Sequence, residues 1–493
     1  MPSIAKSALW VTVSEIIFNL SGFIIHSILG RVLGPADYGR YGLIVTLTTM
    51  VIILIGNGIP TAMAKYISEI FETEPKLILK IKRQAIIIQT VLIASITAIF
   101  YFSAPLISLA LGDETLTPLF KFSSLIIPAF AAASFYFSYF TGLHRFSTQA
   151  TLKTVRSFLR IIFVVGMAIL FGLYGSISGY IIAPFAVFAI AFLIDKLKVD
   201  REIKEKIKNL GQENKQVEFH WKKLVNYGWQ IVAFFLAYEL LISIDLYLVK
   251  AILRDDALTG IYNASLTVGR IPYYIFYAMT VFLLPMVSRK SAENGLKNAK
   301  GIINNALRIM LIFLAPMVIL LSIYASQTLE LLYGKKYLAG ALPMSVLVWG
   351  VGFLTVFYVL SFAINGAGKT LTSMYISIFG LGINVVLNYI LIIKMGILGS
   401  AWATTVASLL IMLIMLFYIK KHFDSSFDLK EFLKVLLSAT ILFLSALFIP
   451  AGKISFIPIS LALLLIYFGI LYILKGITKE DLAMFKLKKI SKK

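Results

Sequence analysis

The chain carries one apolar stretch after another, each about as long as a lipid bilayer is thick. A membrane span needs about 20 mostly apolar residues. Segments of that kind have approximate cores at 8–31, 41–63, 85–111, 122–142, 158–174, 176–195, 225–252, 259–287, 306–331, 343–364, 371–393, 397–419, 433–449 and 455–474. The chain is 59% hydrophobic and only 14% charged, where soluble domains carry about 25% charged residues. An all-α integral membrane protein with about fourteen transmembrane helices follows. The first segment runs on past the length of a signal-peptide core with no small-residue cleavage site, so it reads as an uncleaved span. The weakest division lies between the fifth and sixth segments, where only a Gly-rich turn separates two apolar runs.

The formal net charge is +22. With the N-terminus in the cytoplasm, the cytoplasmic segments hold roughly four times as many Lys and Arg as the outer ones, which is the bias that orients membrane proteins. The basic balance therefore needs no nucleic acid, and both termini are expected on the cytoplasmic side of the cell membrane. Cysteine is absent, and His26, His144, His220 and His422 are scattered. No thiolate or histidine metal site is expected, and no cofactor. The loop from Lys196 to Lys223 is charged and helix-prone, and reads as a linker between two halves.

Repeats support two halves. Gly39 and Tyr41 of DYGRYG match Gly260 and Tyr262 of LTGIYN, 221 residues on. Pro60 and Lys65 match Pro285 and Lys290 at 225, and Gly172, Gly175 and Ser176 match Gly396, Gly399 and Ser400 at 224. An even number of spans per repeat makes the halves parallel, an arrangement known among secondary transporters. The expected organisation is an N-lobe over 1–200 (helices 1–6), a linker over 201–223, a C-lobe over 224–420 (helices 7–12), and helices 13–14 with a basic tail over 421–493. The stretch NGAGKT, Asn365 to Thr370, resembles the end of a P-loop. It lacks the first glycine, where Ala363 stands, and follows an apolar span rather than a strand. Gly142 and Arg145 stand at the same place in the first half. It reads as a helix–helix turn, and no nucleotide is expected.

The segments GRVLGPADYGRYGL (30–43) and NVVLNYILIIKMGILGSAWAT (384–404) resemble the polysaccharide-biosynthesis flippases. That family lies in the superfamily that includes the MATE transporters and the lipid II flippases. The resemblance implies two parallel MATE-like six-helix lobes plus two C-terminal helices. It also implies a monomer in the bilayer that moves a polyprenyl-linked (pyro)phosphate oligosaccharide from the cytoplasmic to the outer leaflet. The rivals are a MATE-like antiporter of organic cations and a membrane glycosyltransferase or polymerase. The short outer loops speak against the enzyme.

Ionisable and polar residues inside spans are costly and mark function by default. Residues at i, i+4, i+7 and i+11 share a helix face. Span one carries Glu15, Asn19, Gly22 and His26 on such a stripe, with Arg31 near its outer end. Span eight carries Asn263, Thr267, Arg270, Tyr274 and Tyr277. Arg270 suits a pyrophosphate, because its fork pairs with phosphate oxygens. The tyrosines and asparagines suit sugar hydroxyls. Glu15, Glu239 and Asp245 are candidates for coupling to a proton or sodium gradient. Asn384 and Asn388 read as interhelical hydrogen-bonding residues, Lys250 and Arg254 as snorkelling cations at the outer interface, and Asp255 and Asp256 as a solvated loop.

Overall fold

A computed structural model of the chain describes residues 4–56, 58–209 and 218–476. The middle of the expected linker (210–217) and the basic tail (477–493) lie outside the described residues, which contain helices and turns but no strand. The helices are α1 (Ile4–Gly56), α2 (Ile59–Ile70), α3 (Pro75–Ala110), α4 (Thr117–Ser123), α5 (Ile126–Gly142) and α6 (Phe146–Arg160), then α7 (Gly166–Ile194), α8 (Asp200–Asn209), α9 (Lys222–Leu253), α10 (Asp256–Gly269), α11 (Ile271–Asn294) and α12 (Lys300–Ile323). They end with α13 (Ala325–Leu332), α14 (Ala341–Gly366), α15 (Thr370–Met395), α16 (Ile397–Phe423), α17 (Leu429–Phe448) and α18 (Phe456–Ile473).

Ten continuous stretches of the described residues are long and apolar enough to cross a membrane. Two of them, Trp10–Ile70 and Phe146–Asn209, hold more than one span. α1 is broken at Gly34, whose φ of 73° and ψ of 173° are not helical; Pro35 then lacks the N–H that would continue the ladder. The second stretch breaks at Phe171 and Gly172, where Gly172 has φ 59°. The fifth and sixth spans are thus nearly continuous, which is why the sequence divides them so weakly. The count is compatible with the fourteen expected.

Left-handed residues close the turns, as they commonly do at helix ends, and they recur. Gly34 is matched by Arg254 (φ 54°), Gly112 (φ 68°) by Gly334 (φ 95°), His144 (φ 57°) by Gly368 (φ 77°), and Gly172 by Gly396 (φ 59°). The separations run from 220 to 224 residues, so the internal repeat is present in the backbone as well as in the letters. NGAGKT spans the end of α14 and the start of α15, with Gly368 at φ 77° in the connection between them.

The chain packs as two compact units: residues 1–264 with 377–397, and residues 265–376 with 398–493. In the first unit, an apolar core joins α2, α3, α5, α7 and α8 around Met63, Ile78, Tyr139, Val187 and Ile203. Its polar tie is Lys82, which donates to Asp195 at 2.6 and 2.7 Å and to Asp200 at 2.8 Å, and lies 4.6 Å over the Tyr139 ring. α8, the start of the expected linker, folds onto this core through Ile203 and Ile207, and Lys206 donates to the Phe71 carbonyl at 3.0 Å. In the second unit, α17 and α18 pack on α12 through Ile319, Leu442 and Tyr467, and the Tyr467 hydroxyl donates to the Ile312 carbonyl at 2.9 Å. Large apolar side chains such as Phe102, Leu106, Phe448 and Ile473 lie fully outward, where lipid is their solvent.

Within the first unit, α1 and α10 approach so closely that backbone touches backbone. A Cβ added at Gly39 would lie 2.3 Å from the Asp256 carbonyl oxygen and 2.7 Å from the Gly260 nitrogen. One added at Gly260 would lie 1.8 Å from the Pro35 oxygen and 2.9 Å from the Gly39 nitrogen. These are repeat mates: 35 pairs with 256, and 39 with 260, at the offset of 221. The contact is therefore isologous, made by the small residues that bring membrane helices together. The next mates, Gly42 and Asn263, also face each other. A Cβ at Gly42 would lie 2.3 Å from the Asn263 amide nitrogen.

Candidate functional site

Among the described residues, a cluster of buried and half-buried charge that is mostly of one sign lies between α1 and α6. α6 carries Gln149, Lys153, Arg156 and Arg160 at i, i+4, i+7 and i+11, hence on one face. Arg160 is about 21 Å along α6 from Phe146 at 1.5 Å per residue. The facing part of α1 supplies Glu15, Phe18 and Gly22. Lys153 donates to Glu15 in a short ion pair. Arg156 and Arg160 are each only 4% exposed. The Arg156 guanidinium lies 4.8 Å from the Phe18 ring, 4.6 Å from Phe130 and 4.7 Å from Phe137. That of Arg160 lies 4.6 Å from Phe18 and 5.1 Å from Tyr180.

The rings do not balance the account of charge. A cation–π contact is worth up to about 2 kcal/mol when desolvated, while burying an ion costs several kcal/mol. Ring faces also leave the hydrogen-bonding capacity of the guanidinium unused. Nε and Nη1 of Arg156 and Nε of Arg160 have no hydrogen-bond partner among the described residues. Three cations face one carboxylate.

Other expected residues are placed elsewhere. His26 shares a 2.9 Å hydrogen bond through Nδ1 with the Tyr38 hydroxyl and meets the Tyr41 ring edge-on at 5.6 Å. Asn19 is half-buried and Arg31 is exposed. Asp245 is fully buried, accepts from the Tyr262 hydroxyl at 2.8 Å and accepts from the Leu246 N–H at 2.8 Å. Glu239 is half-buried, and Asn263 is buried against Gly42. Asn384 donates to the Leu241 carbonyl of α9 at 3.2 Å, an interhelical bond as its reading anticipates, whereas Asn388 donates to the Asn384 side chain at 2.6 Å within α15.

The span-eight stripe does not run on one helix. α10 ends at Gly269 and α11 starts at Ile271, and Pro272 explains the break because it offers no N–H and crowds the preceding turn. Arg270 sits at the junction with φ −80° and ψ −1°, half-buried. Beyond it, Tyr273 meets Tyr274 at 5.5 Å and Tyr358 at 5.0 Å, and Tyr277 stacks on Tyr358 at 6.1 Å. The tyrosines expected to meet sugar thus belong to an aromatic cluster of the second unit.

Two further residues differ from their sequence reading. Lys250 does not snorkel: it is 2% exposed, donates to Asp113 at 2.7 Å and pairs with Asp256. Asp256 is not loop surface, since Arg40 donates to it at 2.7 Å. Lys153 and Arg156 escaped the sequence reading because they precede the apolar core taken as 158–174, whereas the helix starts at Phe146. The polar stripe from Gln149 to Arg160 was the signal that could have found them.

A model of the polysaccharide biosynthesis protein family matches residues 4–291, and one for the lipid II flippase MurJ matches residues 231–469. An uncharacterized membrane protein of Methanocaldococcus jannaschii is 24% identical over 429 residues, 85% of this chain and 99% of that protein. The stage V sporulation protein B of Bacillus subtilis is 22% identical over 453 residues, 87% of this chain and 85% of its own. A solved structure of lipid II flippase MurJ in an inward closed conformation is similar with a TM-score of 0.75 at 18% identity, covering 96% of this chain and all of that one. An inward-facing MATE multidrug resistance transporter of the MOP superfamily is similar with a TM-score of 0.68 at 13% identity, covering 85% of this chain and 97% of that one. At these identities the two structures establish the shared fold.

Proposed function

Because the chain belongs to the polysaccharide biosynthesis protein family, we propose that it flips a polyprenyl-linked oligosaccharide from the cytoplasmic to the outer leaflet of the cell membrane. Two lobes alternate in opening the path, and the termini are cytoplasmic. The observation that carries this reading over a MATE-like exporter of organic cations is the sign of the buried charge. Lys153, Arg156 and Arg160 outnumber Glu15, and such walls favour an anionic cargo and repel a cation. Arg270, at the break between α10 and α11, is the reading's second phosphate-pairing residue. Broken helices are where transporters place their substrates. Glu239, Asp245 and Glu15, which pairs with Lys153, are the carboxylates we assign to coupling with a proton or sodium gradient.

The test is flipping of a fluorescent lipid-linked oligosaccharide in proteoliposomes, normalised to monodisperse protein, with ethidium uptake measured beside it. Wild-type protein should flip the lipid and ignore ethidium. Arg270→Ala should weaken cargo binding roughly ten- to a hundredfold, from a charge-assisted bond of about 1.5–3 kcal/mol. Arg270→Lys should keep part of the activity, as a point charge without the fork. Ethidium transport without lipid flipping would replace this reading with the exporter.

A further inference from the structure

We propose that Lys153, Arg156 and Arg160 form an oxyanion site inside the first unit, built for a phosphate or pyrophosphate group, with Glu15 as its resident counter-ion. The inference rests on the transport reading only in naming the cargo's phosphate as the natural occupant. The site itself is argued from the geometry of α1 and α6.

Three observations carry it. Arg156 and Arg160 are each 4% exposed, yet three of their N–H nitrogens have no acceptor among the described residues. A buried donor is ordinarily paired, because leaving it unmade costs its full desolvation. Aromatic rings surround both guanidiniums and attract the charge, but they offer no lone pair. What is missing is an acceptor that brings several oxygens at once.

The charge balance says how much charge it should bring. Three cations share a helix face, and Glu15 bonds to Lys153 at one end of the row. Two positive charges remain, on neighbouring turns of α6. Guanidinium forks spaced in this way suit a tetrahedral oxyanion, each fork pairing with two oxygens. A carboxylate would satisfy only one.

The third observation is access. The row is most open at its Glu15–Lys153 end, where the side chains are 23% and 12% exposed, toward the start of α6. At the other end, Gly22 lets α1 pack against Arg160: a Cβ there would stand 3.7 Å from Nη2, an ordinary contact. An anion entering at Lys153 would compete with Glu15 for the ammonium before reaching the two arginines.

The shared chemistry is the phosphate oxyanion, whether it arrives on a cargo lipid or as the headgroup of a bilayer phospholipid. The experiment separates these sources. Purified full-length protein is placed in phosphatidylcholine nanodiscs and its thermal unfolding is followed with and without inorganic pyrophosphate. A second arm replaces phosphatidylcholine by phosphatidylglycerol, without pyrophosphate. The wild type should be stabilised in one arm or both, and the responding arm identifies the source. Arg156→Gln should bind roughly ten- to a hundredfold more weakly, the loss of one charge-assisted bond, and the pair Arg156→Gln with Arg160→Gln should not respond at all. Without anion, the Gln variants should unfold at or above the wild-type temperature, because removing an uncompensated buried charge relieves the fold.

Failure of the wild type to respond in either arm overturns the proposal, as does an undiminished response in the double variant. A lower unfolding temperature of the anion-free Gln variants assigns the arginines to packing and overturns it equally. Oligosaccharide flipping plays no part in this readout. A protein that binds pyrophosphate through Arg156 and Arg160 yet moves no lipid-linked sugar would lose its transport reading and keep its site.

Discussion

Replacing Lys250 by methionine tests whether one end of the first unit's helices is held by an ionic network. Lys250 is 2% exposed and its ammonium joins Asp113 of the α3–α4 connection to Asp256 at the start of α10. Methionine keeps most of the volume and removes the charge. Each charge-assisted hydrogen bond lost is worth about 1.5–3 kcal/mol, and the carboxylates are only 14% and 15% exposed, so water replaces the ammonium poorly. Asp256 keeps Arg40 at 2.7 Å, which limits the damage on that side. The expected loss is about 3–5 kcal/mol, the range for removing one partner from a buried pair. The assay is denaturant or thermal unfolding in detergent, run as a double-mutant cycle with Asp113→Asn. In the Lys250→Met background, Asp113→Asn should restore part of the stability, because it removes the stranded carboxylate; the coupling should be about 1–3 kcal/mol. If Lys250→Met unfolds within about 0.5 kcal/mol of wild type, as an exposed substitution does, the network argument is refuted and the lysine is an interface cation after all.

Acid titration offers an independent view of the same pair. Burial alone would raise the Asp113 carboxyl, but the hydrogen bond and charge of Lys250, with the donors of Thr115, hold it below its usual value. Its contribution is therefore present above the unfolded value of about 3.9, is lost as pH falls through the lower folded value, and should vanish from the stability–pH curve of Lys250→Met. Gly260→Ala should be among the most damaging single-methyl changes in the chain, since its Cβ would lie 1.8 Å from the Pro35 oxygen. Poor yield of monodisperse protein is the expected readout, and normal yield would mean that α1 and α10 pack less closely than described. Gly172→Ala meets nothing within 4 Å and is strained only by its backbone, φ 59° and ψ −138°, so it should cost about 1–3 kcal/mol. Arg145→Cys and Lys369→Cys, in a chain with no cysteine of its own, should resist an impermeant thiol reagent in intact cells and react in inverted vesicles; labelling in intact cells reverses the orientation.

Much of the fold was legible because the bilayer leaves few options. Backbone that crosses lipid must be helical, so apolar length alone marked the spans; the glycine motif at an offset of 224 marked a turn that recurs in φ, and that at 221 marked a close contact between helices. The site was less legible, for two physical reasons. A window that seeks uninterrupted apolar residues trims charged turns from helix ends, and so discarded Lys153 and Arg156, which the folded chain buries. Spacing along a helix also says which residues share a face, not what faces them. Asn263 and Asp245 both read as intramembrane polar groups, yet one rests on Gly42 and the other is held by Tyr262. Pro272 was visible throughout, and its power to split the Arg270 stripe follows from its missing N–H.

The contact of Gly39 with Gly260 bears on how such a chain can diverge. A two-chain ancestor made of identical halves would carry the same residue at positions 42 and 263, on either side of the local two-fold. Two asparagines there would claim one volume, since the amide of Asn263 already fills the place of a side chain at position 42. Two glycines would leave that volume empty. The large–small pairing observed is available only when the two halves are encoded separately, within one polypeptide. Covalent linkage thus does more than hold the repeats together: it lets a self-complementary surface become a lock with distinct sides, and lets one half accumulate functional residues that the other half must make room for.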